Sequence, residues 1–274
     1  MTLVQADRFH LDYVRKLQEE HKAPRTIAKY SRDIGRFLAF ARACKTIQRE
    51  TVLQYAAYLK TKYRITTCNS YLISIHAFFR YAERKDLIVP LYRIQRRNFL
   101  EKELNPADYH KMLDALQLAG KTETRLLLRT LGCTGIRVGE LSFVTKQAAE
   151  RGWLEIDLKG KVRRAFIPKE LCQELIAFSG GRDDVIFRNK SRSKPVSSSV
   201  VWRRLKAAAR LAGVEERRVY PHNLRHMFAR TYMETYGNIA ELADLLGHSS
   251  IETTRIYTRS SSDALLRKVS KLAL

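Results

Sequence analysis

Arg137, His222, Arg225, His248 and Tyr257, with a lysine at 159 or 161, are the residues of this 274-residue chain whose types and spacing could act on a phosphate ester. Arg137 follows Gly135 in Thr134-Gly135-Ile136-Arg137-Val138-Gly139-Glu140-Leu141 and is expected at a helix start, where backbone N–H groups favour an anion. Its planar fork matches two phosphate oxygens, and Glu140 is near enough in sequence to orient it or cap the helix. In His222-Asn223-Leu224-Arg225-His226, the first histidine and the arginine share a helical face and can flank one phosphate. His222 and His226 have the spacing of a zinc pair, but the HExxH motif needs glutamate at 223 and the chain has Asn223. In the segment from Leu246 to Thr258, Gly247 ends one helix, Ser249 or Ser250 caps the next, and Tyr257 projects two turns along it. Lys159 and Lys161 flank Gly160 at a turn. Each feature also has a plain structural reading: a surface ion pair, a core histidine, a buried tyrosine, a solvated turn.

The charge balance supplies the partner. The chain has 51 lysines and arginines against 28 acidic residues, a net +23, which calls for a polyanion, and nucleic acid above all. The first hundred residues hold 20 of the basic and 8 of the acidic side chains, so they form the denser basic part. A 45% hydrophobic content can bury a core and argues against general disorder. No apolar run approaches the ~20 residues that cross a bilayer, and no secretory pattern opens the chain. Cys44, Cys68, Cys133 and Cys172 are widely separated, which predicts neither disulfides nor a cysteine-rich zinc site and fits a reducing cytoplasm.

Around these residues the periodicity predicts a mainly α fold with a small antiparallel β-sheet. Residues 1–88 read as a helical module whose apolar stripes are Phe9, Tyr13, Val14 and Leu17; Ile27 to Ala41; Val52 to Leu59; and Tyr71 to Ala82. Residues 89–103 read as a linker carrying Arg93, Arg96 and Arg97. Residues 104–274 read as mixed. Helices are expected near 106–118, 122–133, from 168, 197–212, 221–236, 238–246, 249–257 and 262–272. Strands are expected at 153–158, 162–167 and 185–187.

Taken in order, the segments TGIRVGEL, HNLRH, LGHSS and TTRIYT resemble the tyrosine recombinase, or phage integrase, family over residues 104–274. The tyrosine stands nine residues after the last histidine, as in that family. The helical first part is similar to the family's core-binding domain, and the remainder to its mixed α/β catalytic domain. The hairpin departs from the family's GKGxKxR: it reads Leu158-Lys159-Gly160-Lys161-Val162-Arg163-Arg164, with no leading glycine and a shorter loop. Lys159 is chosen by its Lys-Gly context, and Lys161 is kept as the alternative.

The resemblance implies a site-specific recombinase needing neither metal nor ATP. Tyr257 would attack the scissile phosphate to give a 3′-phosphotyrosyl link, and Arg137 and Arg225 would grip the nonbridging oxygens. Lys159 would protonate the leaving 5′-oxygen, and His222 and His248 would orient the phosphate and move protons. No cofactor is implied. The implied partners are double-stranded DNA clamped between the domains and a homo-tetramer exchanging strands through a Holliday junction. A carboxy-terminal helix, 262–272, would dock on the neighbouring protomer through Leu265, Leu266, Val269 and Leu272. The expected location is cytoplasmic, on the nucleoid when DNA is bound. Integration or excision of a mobile element and resolution of replicon dimers remain open as roles. Rival readings are a type IB topoisomerase, a non-catalytic DNA-binding regulator and a metal-dependent nuclease.

Overall fold

The computed structural model of the chain describes residues 1–94, 103–158, 161–182, 184–189, 191, 193–248, 250–257 and 270. The chain divides into two compact units, Met1–Arg97 and Asn98–Leu274. The sequence-predicted linker falls largely on residues 95–102, outside the described residues, as does the helix expected at 262–272 apart from Ser270, which is helical.

The first unit is built from α1 (Leu3–Glu19), α2 (Pro24–Ala41), α3 (Arg49–Lys62) and α4 (Ile65–Tyr81). Thr2 and Gln5 form a reciprocal capping box on α1, and Pro24 opens α2 where its missing N–H costs nothing. The predicted aromatic stripes are core: the Phe37 ring meets Phe79 edge to face at 5.7 Å and Tyr55 at 5.3 Å. Truncating a fully buried ring such as Phe37 to alanine costs about 3–5 kcal/mol. One stripe is only partly core, since Phe9 stays exposed while Tyr13 and Leu17 are buried. A buried carboxylate also ties α2 to α4. Asp33 accepts from Lys29 Nζ at 2.7 Å and from Ser74 Oγ at 3.0 Å, which offsets its desolvation.

In the second unit α5 (Pro106–Leu118) and α6 (Thr122–Thr134) precede a 3₁₀ turn, Val138–Phe143, and α7 (Lys146–Arg151). The hairpin of β1 (Trp153–Leu158) and β2 (Lys161–Phe166) follows, then α8 (Lys169–Ser179), α9 (Ser198–Leu211), α10 (Pro221–Tyr236) and α11 (Ile239–Leu246). The antiparallel register sets Ile156 opposite Arg163 and Leu154 opposite Ala165, so these four share the inward face. Leu126, Leu127, Leu128 and Leu131 of α6 are all buried at the centre, where α10 packs on α6. Among the described residues no helix is long and apolar enough to cross a membrane.

Three expectations need correction. Residues 249–257 do not form a helix; two 3₁₀ turns, Ile251–Thr253 and Arg255–Tyr257, stand there instead. Their i→i+3 bonds run from Thr254 N–H to the Ile251 carbonyl (2.8 Å) and from Tyr257 N–H to the Thr254 carbonyl (2.9 Å). The β-branched Ile251, Thr253, Thr254 and Ile256 are poor helix formers, and Thr254 is diverted by a side-chain bond described below. Arg137 likewise precedes a 3₁₀ turn rather than an α-helix. The strand expected at 185–187 is a single bridge between Thr145 and Val185. The unforeseen α7 is capped by Thr145, whose hydroxyl accepts from Ala148 N–H, and is stopped by the left-handed Gly152.

Candidate active site

The site grows from the ends of α6 and α11. At the end of α6, Gly135 takes φ +62°, and a β-carbon there would collide with the Phe228 ring, so glycine is required. The chain leaves that turn extended and places Arg137 at the start of the 3₁₀ turn. Glu140, 1% exposed, accepts from the Arg137 backbone N–H at 2.7 Å and from Arg137 Nη1 at 3.1 Å. Its other contact is Arg163 Nη2 at 2.6 Å. A buried carboxylate is tolerable here because two guanidinium groups and a backbone N–H replace its water. The Arg137 side chain remains 46% exposed, leaving part of its fork free for a ligand.

Arg225, on α10, is 1% exposed. Nη1 donates to the Gly135 carbonyl at 2.7 Å and Nη2 to the Leu246 carbonyl at 2.6 Å. One side chain thus satisfies carbonyls at the ends of both α6 and α11. Nη2 also lies 3.0 Å from His248 Nε2. Burial, and repulsion from Arg137 and Arg163, push the Arg225 pKa down to about 10, so it stays charged at neutral pH. The same forces, burial first and then Arg225, Arg137 and Arg163, push His248 down to about 4. His248 is therefore neutral, with Nδ1 2.8 Å from Thr254 Oγ1.

His222 and His226 are one turn apart on α10, and their rings meet edge to face at 4.4 Å. Burial lowers both: Arg225 and Arg137 add to the effect at His222, and His222 and Arg225 add to it at His226, which falls to about 4. The His226 ring lies 5.3 Å from that of Tyr257. Among the described residues no group of three or more His, Cys, Asp or Glu side chains could hold a metal ion.

Tyr257 closes the second 3₁₀ turn and packs with Phe228, Tyr232 and Met233 against Ala229, Leu242 and Leu246. Burial raises its pKa to about 12, and the pull of Arg225 and Arg137 on the phenolate only partly opposes this. The phenol is thus held neutral beside the two arginines that would stabilise its anion.

The structure brings Arg137, His222, Arg225, His248 and Tyr257 together. Lys159 lies outside the described residues; Lys161 opens β2, and its side chain is not among those described. Sequence reasoning missed Arg163. Besides Glu140 it donates to the Leu245 carbonyl at 2.6 Å, and so holds β2 to the end of α11. Its signal was available: alternation along β2 puts residue 163 on the face of Ala165 and Ile167, where an arginine needs a buried partner. Between β2 and α11 opens a cleft of about 830 Å³, bordered by Arg137, Glu140, Arg163 and His248.

Residues 102–263 match the phage integrase family, and residues 11–86 match the phage integrase N-terminal SAM-like domain. Among curated proteins, the tyrosine recombinase XerA of Thermococcus kodakarensis is 30% identical over 268 residues, covering 94% of this chain and 93% of that protein. The tyrosine recombinase XerD of Chlamydia trachomatis is 28% identical over 270 residues, with 90% and 89% covered. Among solved structures, a lambda integrase (75–356) dimer bound to a COC′ core site superposes with a TM-score of 0.74 at 19% identity, covering 96% of this chain and 97% of that one. The XerH site-specific recombinase bound to its difH substrate, in a pre-cleavage complex, gives 0.70 at 21% identity, with 89% and 79% covered.

Proposed function

The chain belongs to the phage integrase family and is a site-specific tyrosine recombinase, and from that premise we propose that Tyr257 is its nucleophile and Arg137 and Arg225 its phosphate clamp. The observation that carries the assignment is a local surplus of positive charge, most of it buried. Arg137, Arg163 and Arg225 gather around one carboxylate, Glu140, beside a neutral phenol. A phosphodiester entering there supplies the missing negative charge, and the pentavalent transition state, with more charge on its oxygens, is held more strongly still. Arg137 offers its exposed fork from one side, and Arg225 is fixed in place by two carbonyls before any ligand arrives. The phenol gives up its proton to solvent as Tyr257 Oη attacks phosphorus, the bond to the 5′-oxygen breaks, and the phosphoester energy is kept in the phosphotyrosyl link for rejoining. The neutral His222 and His248 then act as hydrogen-bond partners of the phosphate, and Lys159, with Lys161 as the alternative, protonates the departing 5′-oxygen.

Relatives named tyrosine recombinases along nine-tenths of the chain leave no weight on the topoisomerase, regulator and nuclease readings. Double-stranded DNA is the proposed substrate, in keeping with the DNA complexes of XerH and lambda integrase. The proposed assembly is a tetramer on two duplexes, with helix 262–272 reaching the neighbouring protomer.

The test incubates the full chain, with EDTA, on duplexes drawn from beside its own gene, and scores SDS-resistant protein–DNA complexes. The expected result is an adduct with the natural protein and none with Tyr257→Phe. An adduct formed by Tyr257→Phe rejects the nucleophile.

A further inference from the structure

We propose that Thr254 is a positioning residue whose hydroxyl lets His248 exchange tautomers when a phosphate oxyanion enters, releasing Arg225 to hold that phosphate. This rests on the assignment of Arg225 to the phosphate clamp and of His248 as a hydrogen-bond partner of the phosphate. Thr254 is a polar side chain with 0% exposure, placed between the two 3₁₀ turns. Its Oγ1 lies 2.8 Å from His248 Nδ1, while Nε2 of the same ring lies 3.0 Å from Arg225 Nη2. A guanidinium only donates, so Nε2 must accept. The ring proton therefore sits on Nδ1 and is donated to Thr254 Oγ1. A doubly protonated ring is excluded by the Arg225 contact and by the repulsion of Arg137 and Arg163.

In this arrangement the hydroxyl proton of Thr254 has no acceptor of its own among the described hydrogen bonds. A phosphate reverses the requirement at the other nitrogen. Its nonbridging oxygens only accept, so an Nε2 lone pair facing them is repelled and an Nε2–H is attracted. One proton leaves Nδ1 for solvent and one arrives at Nε2, with no change in net charge. Nδ1 then accepts from the Thr254 hydroxyl, whose proton gains its partner, and the Arg225 Nη2–H given up by the imidazole is left for the phosphate, with both carbonyl bonds kept. Only a group able both to donate and to accept permits both states, and a hydroxyl is such a group. The same residue anchors the nucleophile's turn, since the Tyr257 N–H donates to the Thr254 carbonyl at 2.9 Å.

The experiment uses the full chain with ¹⁵N-labelled histidine. Two-bond ¹H–¹⁵N correlations are recorded during titration with dimethyl phosphate, a diester whose charged oxygens carry no proton, and His248→Gln assigns the resonance. The expected result is a protonated Nδ1 without phosphate and a protonated Nε2 with it, the two nitrogen shifts trading places. Thr254→Val, of similar shape, is expected to keep Nδ1 protonated at the same phosphate concentration, and Thr254→Ser to restore the exchange. The proposal is overturned by an Nε2-protonated ring in the free protein, by bound phosphate that leaves the tautomer unchanged, or by a valine variant that exchanges like the natural protein. Should the valine variant not fold, the natural protein alone still decides the first two. Phosphate that shifts none of the site's histidines overturns the clamp itself.

Discussion

The side chain of Arg163 fills the space that a β-carbon at Gly247 would occupy. The strand carrying one wall of the site and the turn preceding His248 thus meet with no room for a further atom. Arg163 also donates to the Leu245 carbonyl and to Glu140, so two hydrogen bonds hold its side chain against the glycine. The backbone of Gly247 is left-handed, at φ +62°, and makes its own demand for glycine.

Gly247→Ala should therefore fail twice, through αL strain of about 1–2 kcal/mol and through displacement of Arg163. Thermal melting should show a stability loss of about 2–4 kcal/mol in total, and adduct formation should fall by more than tenfold. A variant melting like the natural protein would show that Arg163 moves aside freely.

Glu140→Gln removes the one carboxylate that, among the described residues, is hydrogen-bonded to Arg137 and Arg163, while keeping its shape. Breaking such a buried pair costs about 3–5 kcal/mol. Urea unfolding should register most of that, and single-turnover cleavage should slow because Arg137 loses its orienting partner. Restoration of the rate by raised ionic strength would contradict this, since screening reaches buried charges poorly.

Acid should unfold the catalytic unit through its histidines. An unfolded histidine titrates near 6.5, whereas burial holds His226 and His248 at about 4 in the native protein. Between those values the unfolded chain binds more protons, so the stabilisation is whole above pH 6.5 and is lost as pH falls toward 4. Urea midpoints measured from pH 7 down to pH 4 should drop, and His226→Gln should make the drop shallower. An unchanged slope in that variant would assign the acid sensitivity to other groups.

Removing residues 262–274 takes away Leu265, Leu266, Val269 and Leu272, the side chains proposed to dock on the neighbouring protomer. Single-site binding in gel shifts should persist, with synapsis of two duplexes reduced. Unaltered recombination would reject the docking role of this segment.

Much of the catalytic unit was legible because its signals are local. Asn105-Pro106 marks the start of α5, alternation marks β1 and β2, and Gly237 and Gly247 mark the ends of α10 and α11. The clustering of Arg137, His222, Arg225, His248 and Tyr257 was legible only through their order along the chain, since nothing local brings residue 137 to residue 225. The turns at 251–257 were misread because their geometry depends on a bond between His248 and Thr254, six residues apart, which competes with helix formation. Arg163 was passed over because its partners, Glu140 and Leu245, are remote in sequence and only the fold makes them neighbours.

The burial of Arg225 has a practical consequence for anyone wanting an inactive protein. Its guanidinium is at once the proposed reagent and the tie between two helix ends, so no substitution there can silence chemistry and spare architecture. Lysine, with a single nitrogen, cannot span both carbonyls. An Arg225 variant that neither cuts nor binds would say nothing about which capacity was lost first. Tyr257 is the separable position. No hydrogen bond of its hydroxyl occurs among the described residues, and its ring does the packing, so phenylalanine keeps the scaffold while removing the attacking atom. Trapped complexes for structural work should be made there.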